Sequence, residues 1–241
     1  MGKTKHTPYF ECLEALRAGG CPVCELGKRA VARYLDSLIY EQVNDPGVRK
    51  RTRAAQGFCR LHAWQLRRHG GALGMAIIYR DVVRDVVQSL DNANYNSSGR
   101  LLPRAVAEAV DRERPSSATA DAVRSLTPSG QCPACATQHR TEAMYTDIFL
   151  ENLEDPEIQS ALGEGRGLCL PHLRLALERV RDENTFRLLV AGAKVAFSGL
   201  LRDLDEMIRR HDYRYQEEGL GEVGDAWLHA IAQIAGKEGL S

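Results

Sequence analysis

The sequence predicts an all-α fold: two tandem helical units, each stapled by a Cys3His metal site, followed by one C-terminal helix. Three observations carry this reading. Apolar residues recur at three- and four-residue spacing along most of the 241-residue chain. No alternating run of β-branched residues bounded by turns is present. A Cys-x-x-Cys followed by a Cys-x-x-His occurs twice, as Cys21/Cys24 with Cys59/His62 and as Cys132/Cys135 with Cys169/His172.

The elements follow in order. Thr7 suits an N-cap and Pro8 a first helical position, so a helix is expected from 7 to 18, closed by Gly19-Gly20, with Cys12 on its buried side. From Cys24 to about Val43 one face carries Ala30, Val31, Tyr34, Leu35, Leu38 and Ile39. Asp45-Pro46-Gly47 reads as its stop, and "VRKRTR" as a solvated basic loop holding Arg49, Lys50, Arg51 and Arg53. A short helix then carries Cys59, His62, Trp64 and Leu66, and a longer one turns Leu73, Ile77, Val83, Val87 and Leu90 inward. Ser, Pro and charges dominate residues 96–119, an exposed and partly disordered linker in which only Leu101 to Arg112 suits a helix.

The second half repeats the plan. It reads as a helix from Pro133 to Leu153, an acidic loop "EDPEIQSALGEGRG", and a short helix around 169–180. A long helix over 183–211 turns Phe186, Leu189, Val190, Ala193, Phe197, Leu200, Leu204 and Ile208 inward. Asp225 caps a final helix with Trp227, Ile231 and Ile234 on one face, and Gly236 ends it. Trp64 and Trp227 read as core or helix-docking residues. The expected boundaries are 1–95 for the first unit, 96–119 for the linker, 120–212 for the second unit and 213–241 for the turn and docking helix.

The two halves align at an offset of 111 from Cys21 to Cys132 and 110 from Cys59 to Cys169, with Tyr34, Asp36, Asp45-Pro46 and Gly57 matching Tyr145, Asp147, Asp155-Pro156 and Gly167. Flanking positions that travel with the cysteines point to a duplicated unit. Three thiolates and one imidazole form a closed tetrahedral zinc set, so Cys21, Cys24, Cys59 and His62 are expected to hold one zinc ion, and Cys132, Cys135, Cys169 and His172 a second. An iron–sulfur cluster is the alternative cofactor. A redox dithiol would explain "CPVC" alone but lacks a βαβ context, and neither Cys-x-x-Cys is followed by the His that heme attachment needs. With four good ligands per site, no position is left open for hydrolysis at the metal.

Charge narrows the function further. Lys+Arg and Asp+Glu balance at 32 each, so nothing in the overall charge calls for nucleic acid or an anionic membrane. No apolar run reaches the 18 or so residues of a membrane span, and no signal peptide is recognisable, so a soluble cytoplasmic protein with reduced thiols is expected. "CPVC", the Tyr-bearing helix, "GFCRLH" followed by Trp, and "HDYRYQEE…GDAWLHAI" together resemble an uncharacterised bacterial family classed as a domain of unknown function. That resemblance covers most of the chain and implies no reaction.

The leading expectation is a non-enzymatic binding or scaffold protein with a protein partner. An enzyme or small-ligand receptor would instead use the cluster His211, Asp212, Tyr213 and Arg214 beside a groove between the units. Nucleic-acid binding through the Arg49–Arg53 stretch is the third reading.

Overall fold

The computed structural model describes residues 5–68, 71–95 and 119–240. Among them are eleven α-helices and no strand: α1 (Thr7–Arg17), α2 (Pro22–Ser37), α3 (Pro46–Ala54), α4 (Arg60–Arg68), α5 (Ala72–Asp91), α6 (Ala120–Ser125), α7 (Pro133–Glu151), α8 (Pro156–Glu164), α9 (Leu170–Arg179), α10 (Glu183–Arg210) and α11 (Ala226–Ala235). A π-helical segment, Leu38–Gln42, continues α2 without a break. His69 and residues 96–118, with the linker helix expected there, lie outside the described residues.

Contacts divide the chain into Met1–Arg33 with Thr137–Ser241, and Tyr34–Ala136. One unit thus joins the two ends of the sequence and the other is its middle, a division that does not coincide with the tandem boundaries 1–95 and 120–212. The divisions fall inside α2 and α7, so each of these helices belongs partly to both units.

The end-joining unit has a core of Leu13, Leu16, Leu26, Tyr145, Phe149, Leu153, Ile158 and Leu168. In it α1 packs on α8, and the Tyr9 hydroxyl donates to Asp155 at 3.0 Å. Arg179, the last residue of α9, grips Asp147 of α7 through bonds of 2.7 and 2.6 Å. The middle unit buries Leu35, Leu38, Ile39, Val43, Val48, Phe58, Leu66, Ile78 and Val82. The apolar face that periodicity predicts along α2 and its continuation is the buried one.

Several local expectations are corrected. Asp45-Pro46 does not only stop one helix but starts the next: the Asp45 carboxylate accepts from the Val48 amide at 2.7 Å, and Pro46 opens α3. Asp155-Pro156 opens α8 in the same way, with Asp155 accepting from Glu157 N at 2.9 Å. An Asp cap followed by Pro at the first helical position reads as a start because the proline's missing N–H would have no helical partner there. The stretches taken as basic and acidic loops are therefore helices. Arg49 bonds Asp81, and Arg53 bonds Asp85 twice at 2.6 Å, so two of the four basic groups already hold carboxylates.

Helical phase is the second correction. On α5 the buried residues are Gly74, Ile78, Asp81 and Val82, while Leu73, Val83, Val87 and Leu90 are exposed. On α10 only Leu189 and Leu200 are buried. Helix α11 packs on α10 and α9 as a docking helix should, but through Ala226 and Gln233, leaving Trp227, Ile231 and Ile234 outward. Trp64 is 63% exposed and lies beside Arg67 rather than in a core. Each of these helices carries more apolar residues than one face can bury, so periodicity alone does not say which arc turns inward.

Phe149→Ala removes a ring that is 1% exposed in the core of the end-joining unit and is expected to cost about 3–5 kcal/mol. Trp64→Ala should stay within about 0.5 kcal/mol of the parent. Urea unfolding of the metal-loaded protein measures both.

Candidate metal centres

The eight Cys and His side chains gather into two clusters that could each hold a metal ion, Cys21, Cys24, Cys169 and His172, and Cys59, His62, Cys132 and Cys135. All eight expected residues are present, but the pairing is crossed: each Cys-x-x-Cys meets the Cys-x-x-His of the other half of the chain. The reason lies in helix length. Each Cys-x-x-Cys heads a long rigid helix: residues 22–42, counting the π-helical continuation, are 21 residues at about 1.5 Å rise each, and α7 is 19 residues long. Each such helix is thus about 30 Å long, and the Cys-x-x-His that follows in sequence comes only after it.

Every ligand pair sits where a helix begins. Cys21 precedes α2 and Cys24 lies in its first turn; Cys132 and Cys135 stand likewise on α7. Cys169 is the N-cap of α9, and Cys59 directly precedes α4, with His172 and His62 in the first turns. Each centre is therefore the meeting of two helix N-termini, whose positive dipole ends favour thiolate over thiol. Gly57 and Gly167, two residues before Cys59 and Cys169, have φ of 96° and 61°. These left-handed turns aim the following segment at the centre, and a side chain would strain them.

The donor geometry suits a single ion. In the end-joining unit His172 Nδ1 lies 3.4, 3.3 and 3.1 Å from the Sγ atoms of Cys21, Cys24 and Cys169, and the Cys24 and Cys169 sulfurs are 3.5 Å apart. In the middle unit His62 Nδ1 lies 3.3, 3.7 and 3.3 Å from Cys59, Cys132 and Cys135, with 3.6 Å between Cys135 and Cys59. Tetrahedral zinc bonds imply donor atoms roughly 3.5–3.8 Å apart. All donors in each cluster fall within 4.8 Å of one another, so each cluster fits one tetrahedrally held cation, with its single imidazole turned inward through Nδ1.

The surroundings differ. Behind His172, Nε2 meets Glu142 Oε1 at 3.4 Å, and Gln138 donates to the same carboxylate at 2.8 Å. Burial pulls the His172 pKa down, but Cys24 and Glu142 outweigh it and raise it to about 9. Burial also works against the Glu142 charge, yet His172 and Gln138 hold that carboxyl below the usual range. Hydrogen bonds from Cys21 and Cys24 draw Cys169 far below an ordinary thiol, while burial pushes Cys21 up. Metal ligands bind deprotonated, so loading this centre releases protons and is favoured by rising pH.

The C-terminal segment closes over this centre. Gln233 donates to Leu168 O at 2.7 Å and Arg166 O at 2.9 Å, pinning the turn that carries Cys169. A Cβ on Gly236 would lie 3.8 Å from the Cys24 sulfur. Around the middle centre two phenols lie near the sulfurs instead. Burial, and then Cys132, raise the Tyr79 pKa; burial and Cys132 also outweigh Arg51 at Tyr34, so both phenols stay protonated. The knuckle before Cys132 is tied down by Ser129 N and Gly130 N, which both donate to Ala54 O at 2.9 Å.

Sequence reading missed Glu142, Gln138 and Gln233. Glu142 stands 30 positions before His172 and shares no motif with it, so no spacing could have revealed the pair. The other candidates lie outside both clusters. Cys12 is buried, and burial pushes its thiol up to about 12. At the turn after α10, His211 Nδ1 lies 2.8 Å from Met207 O, Asp212 and Arg214 bond each other at 2.7 Å, and Tyr213 is exposed. That pattern is a helix C-terminus satisfying itself.

Residues 9–239 match the model of DUF6062, described as a family of unknown function, in keeping with the resemblance carried by the Cys motifs. The uncharacterized 23.9 kDa protein in the xynA 3′ region of Caldicellulosiruptor sp. (strain Rt8B.4) is 27% identical over 229 residues, covering 94% of this chain and all of that protein. No solved structure matches. No helix among the described residues is long and apolar enough to cross a membrane.

Replacing Glu142 by Gln should weaken metal binding at the Cys21 centre by roughly 10–100-fold, because the carboxylate orients the imidazole that binds the ion. Competition with a chromophoric chelator would show one weakened and one unchanged site per chain.

Proposed function

The chain belongs to DUF6062, and we propose that this member is a zinc-stapled helical scaffold in which two closed Cys3His sites hold distant segments together for the binding of a protein partner in the cytoplasm. The observation that carries the proposal is the crossed pairing. Cys24 and Cys169 are 145 residues apart, and His62 and Cys132 are 70 apart, so each ion would close a long loop rather than organise a local finger.

Magnitudes favour a structural role. Closing loops of these lengths costs about 4–5 kcal/mol each in chain entropy. A structural zinc supplies roughly 10–16 kcal/mol of apparent free energy. The margin is comparable with the whole stability of an ordinary domain. Four protein donors complete a tetrahedral shell, which leaves no vacant coordination position for substrate or water. Donors gathered around one point suit a mononuclear ion better than an iron–sulfur cluster, whose ligands attach to separate irons.

Pairwise substitution tests this. Protein purified without chelator should be colourless and contain two zinc ions. Cys21→Ser combined with Cys169→Ser should leave one ion, since both belong to one centre. Cys21→Ser combined with Cys59→Ser should leave none. Tandem pairing would give the reverse, and a brown protein with iron and labile sulfide would remove the zinc reading. Stripping both ions with a strong chelator should abolish the cooperative thermal unfolding transition followed by circular dichroism.

A further inference from the structure

On α10 the residues Phe186, Val190, Ala193, Phe197, Leu201, Leu204 and Ile208 fall within an arc of about 80° at 100° per residue. None of the seven is buried; Leu201 is 59% and Ile208 70% exposed. Their spacing of 4, 3, 4, 4, 3 and 4 has a repeat of 11 residues, which keeps the stripe nearly straight along an α-helix. It is also a palindrome centred on Phe197.

We propose that α10 is the interface of a homodimer, packing antiparallel against the α10 of a second copy about a two-fold axis at Phe197. A two-fold antiparallel pair sets position i opposite position 394 − i. It therefore brings Phe186 against the partner's Ile208, Val190 against the partner's Leu204, and Phe197 against its own equivalent. Ala193 meets the partner's Leu201, a small residue opposite a large one, as interdigitating packing requires. An isologous contact sets one surface against itself, and the symmetric spacing about Phe197 lets the two stripes meet along their whole length.

Charge agrees with the same register. Arg187 and Asp205 are 18 residues apart, five full helical turns, and so share the flank beside the stripe. In the antiparallel pair like flanks face each other, which brings each Arg187 beside the partner's Asp205. The stripe spans about 33 Å of helix, and α11, packed on α10, adds exposed Trp227 and Ile231. Together these give an apolar surface suited to a standard interface of about 800 Å² per partner.

Sedimentation equilibrium of the full-length, metal-loaded protein at micromolar concentration should give twice 26.7 kDa. Leu201→Glu, buried in the contact without a countercharge, should raise the dimer Kd roughly 30-fold or more while metal content and helicity stay unchanged. Arg187→Asp and Asp205→Arg should each weaken the dimer roughly three- to ten-fold, and the double exchange should restore it. A monomeric parent protein, or a dimer indifferent to Leu201→Glu, overturns the proposal. A double exchange no better than its singles overturns the antiparallel register.

Discussion

The structure depends on bringing helix N-termini together in pairs around sulfur. Two dipole ends of the same sign repel unless negative charge lies between them, and three cysteines able to ionise supply it at each centre. Helices α2 and α9 meet at one such point, and α7 and α4 at the other. The ligands are thus more than attachments to a preformed bundle, because the helix ends they join have few other means of satisfying their exposed amides in a buried setting.

The crossed pairing gives the chain a nested topology. The ligand pairs at 21–24 and 169–172 enclose the pairs at 59–62 and 132–135, so the inner loop can close with the middle of the chain alone, whereas the outer centre needs segments near both ends. This matches the way contacts divide the molecule, with the middle forming one unit and the two ends the other. The outer centre has its own supports. A carboxylate braces its imidazole, Gln233 pins its knuckle and Gly236 lies against its sulfurs. The inner centre has phenols nearby and a knuckle held by the end of α3. One motif thus occupies two electrostatic settings, decided by residues outside the motif.

Several charged groups join helices, since Arg49 and Arg53 hold α3 to α5 and Arg179 holds α9 to α7, while others, such as Arg209 and Arg210 on Glu206, pair within one helix. The exposed large apolar side chains of the described residues are concentrated on α5, α10 and α11.

The helical class, the eight ligand residues, the limits of most helices and the buried face of α2 were legible in the sequence, because each depends on local spacing: 3.6 residues per turn, caps, breakers and ligands within one turn of each other. Asp45-Pro46 reads as a stop and Asp155-Pro156 as part of a loop, although the chemistry of both is equally that of helix starts. Which arc of α5 and α10 turns inward was not legible, since both carry apolar residues over more than one face. Nor was the partner of any ligand pair. A Cys-x-x-Cys is recognised from four neighbouring residues, but the Cys-x-x-His that completes it is chosen by where rigid helices of 19 and 21 residues deliver the chain, and that is settled only when the helices pack.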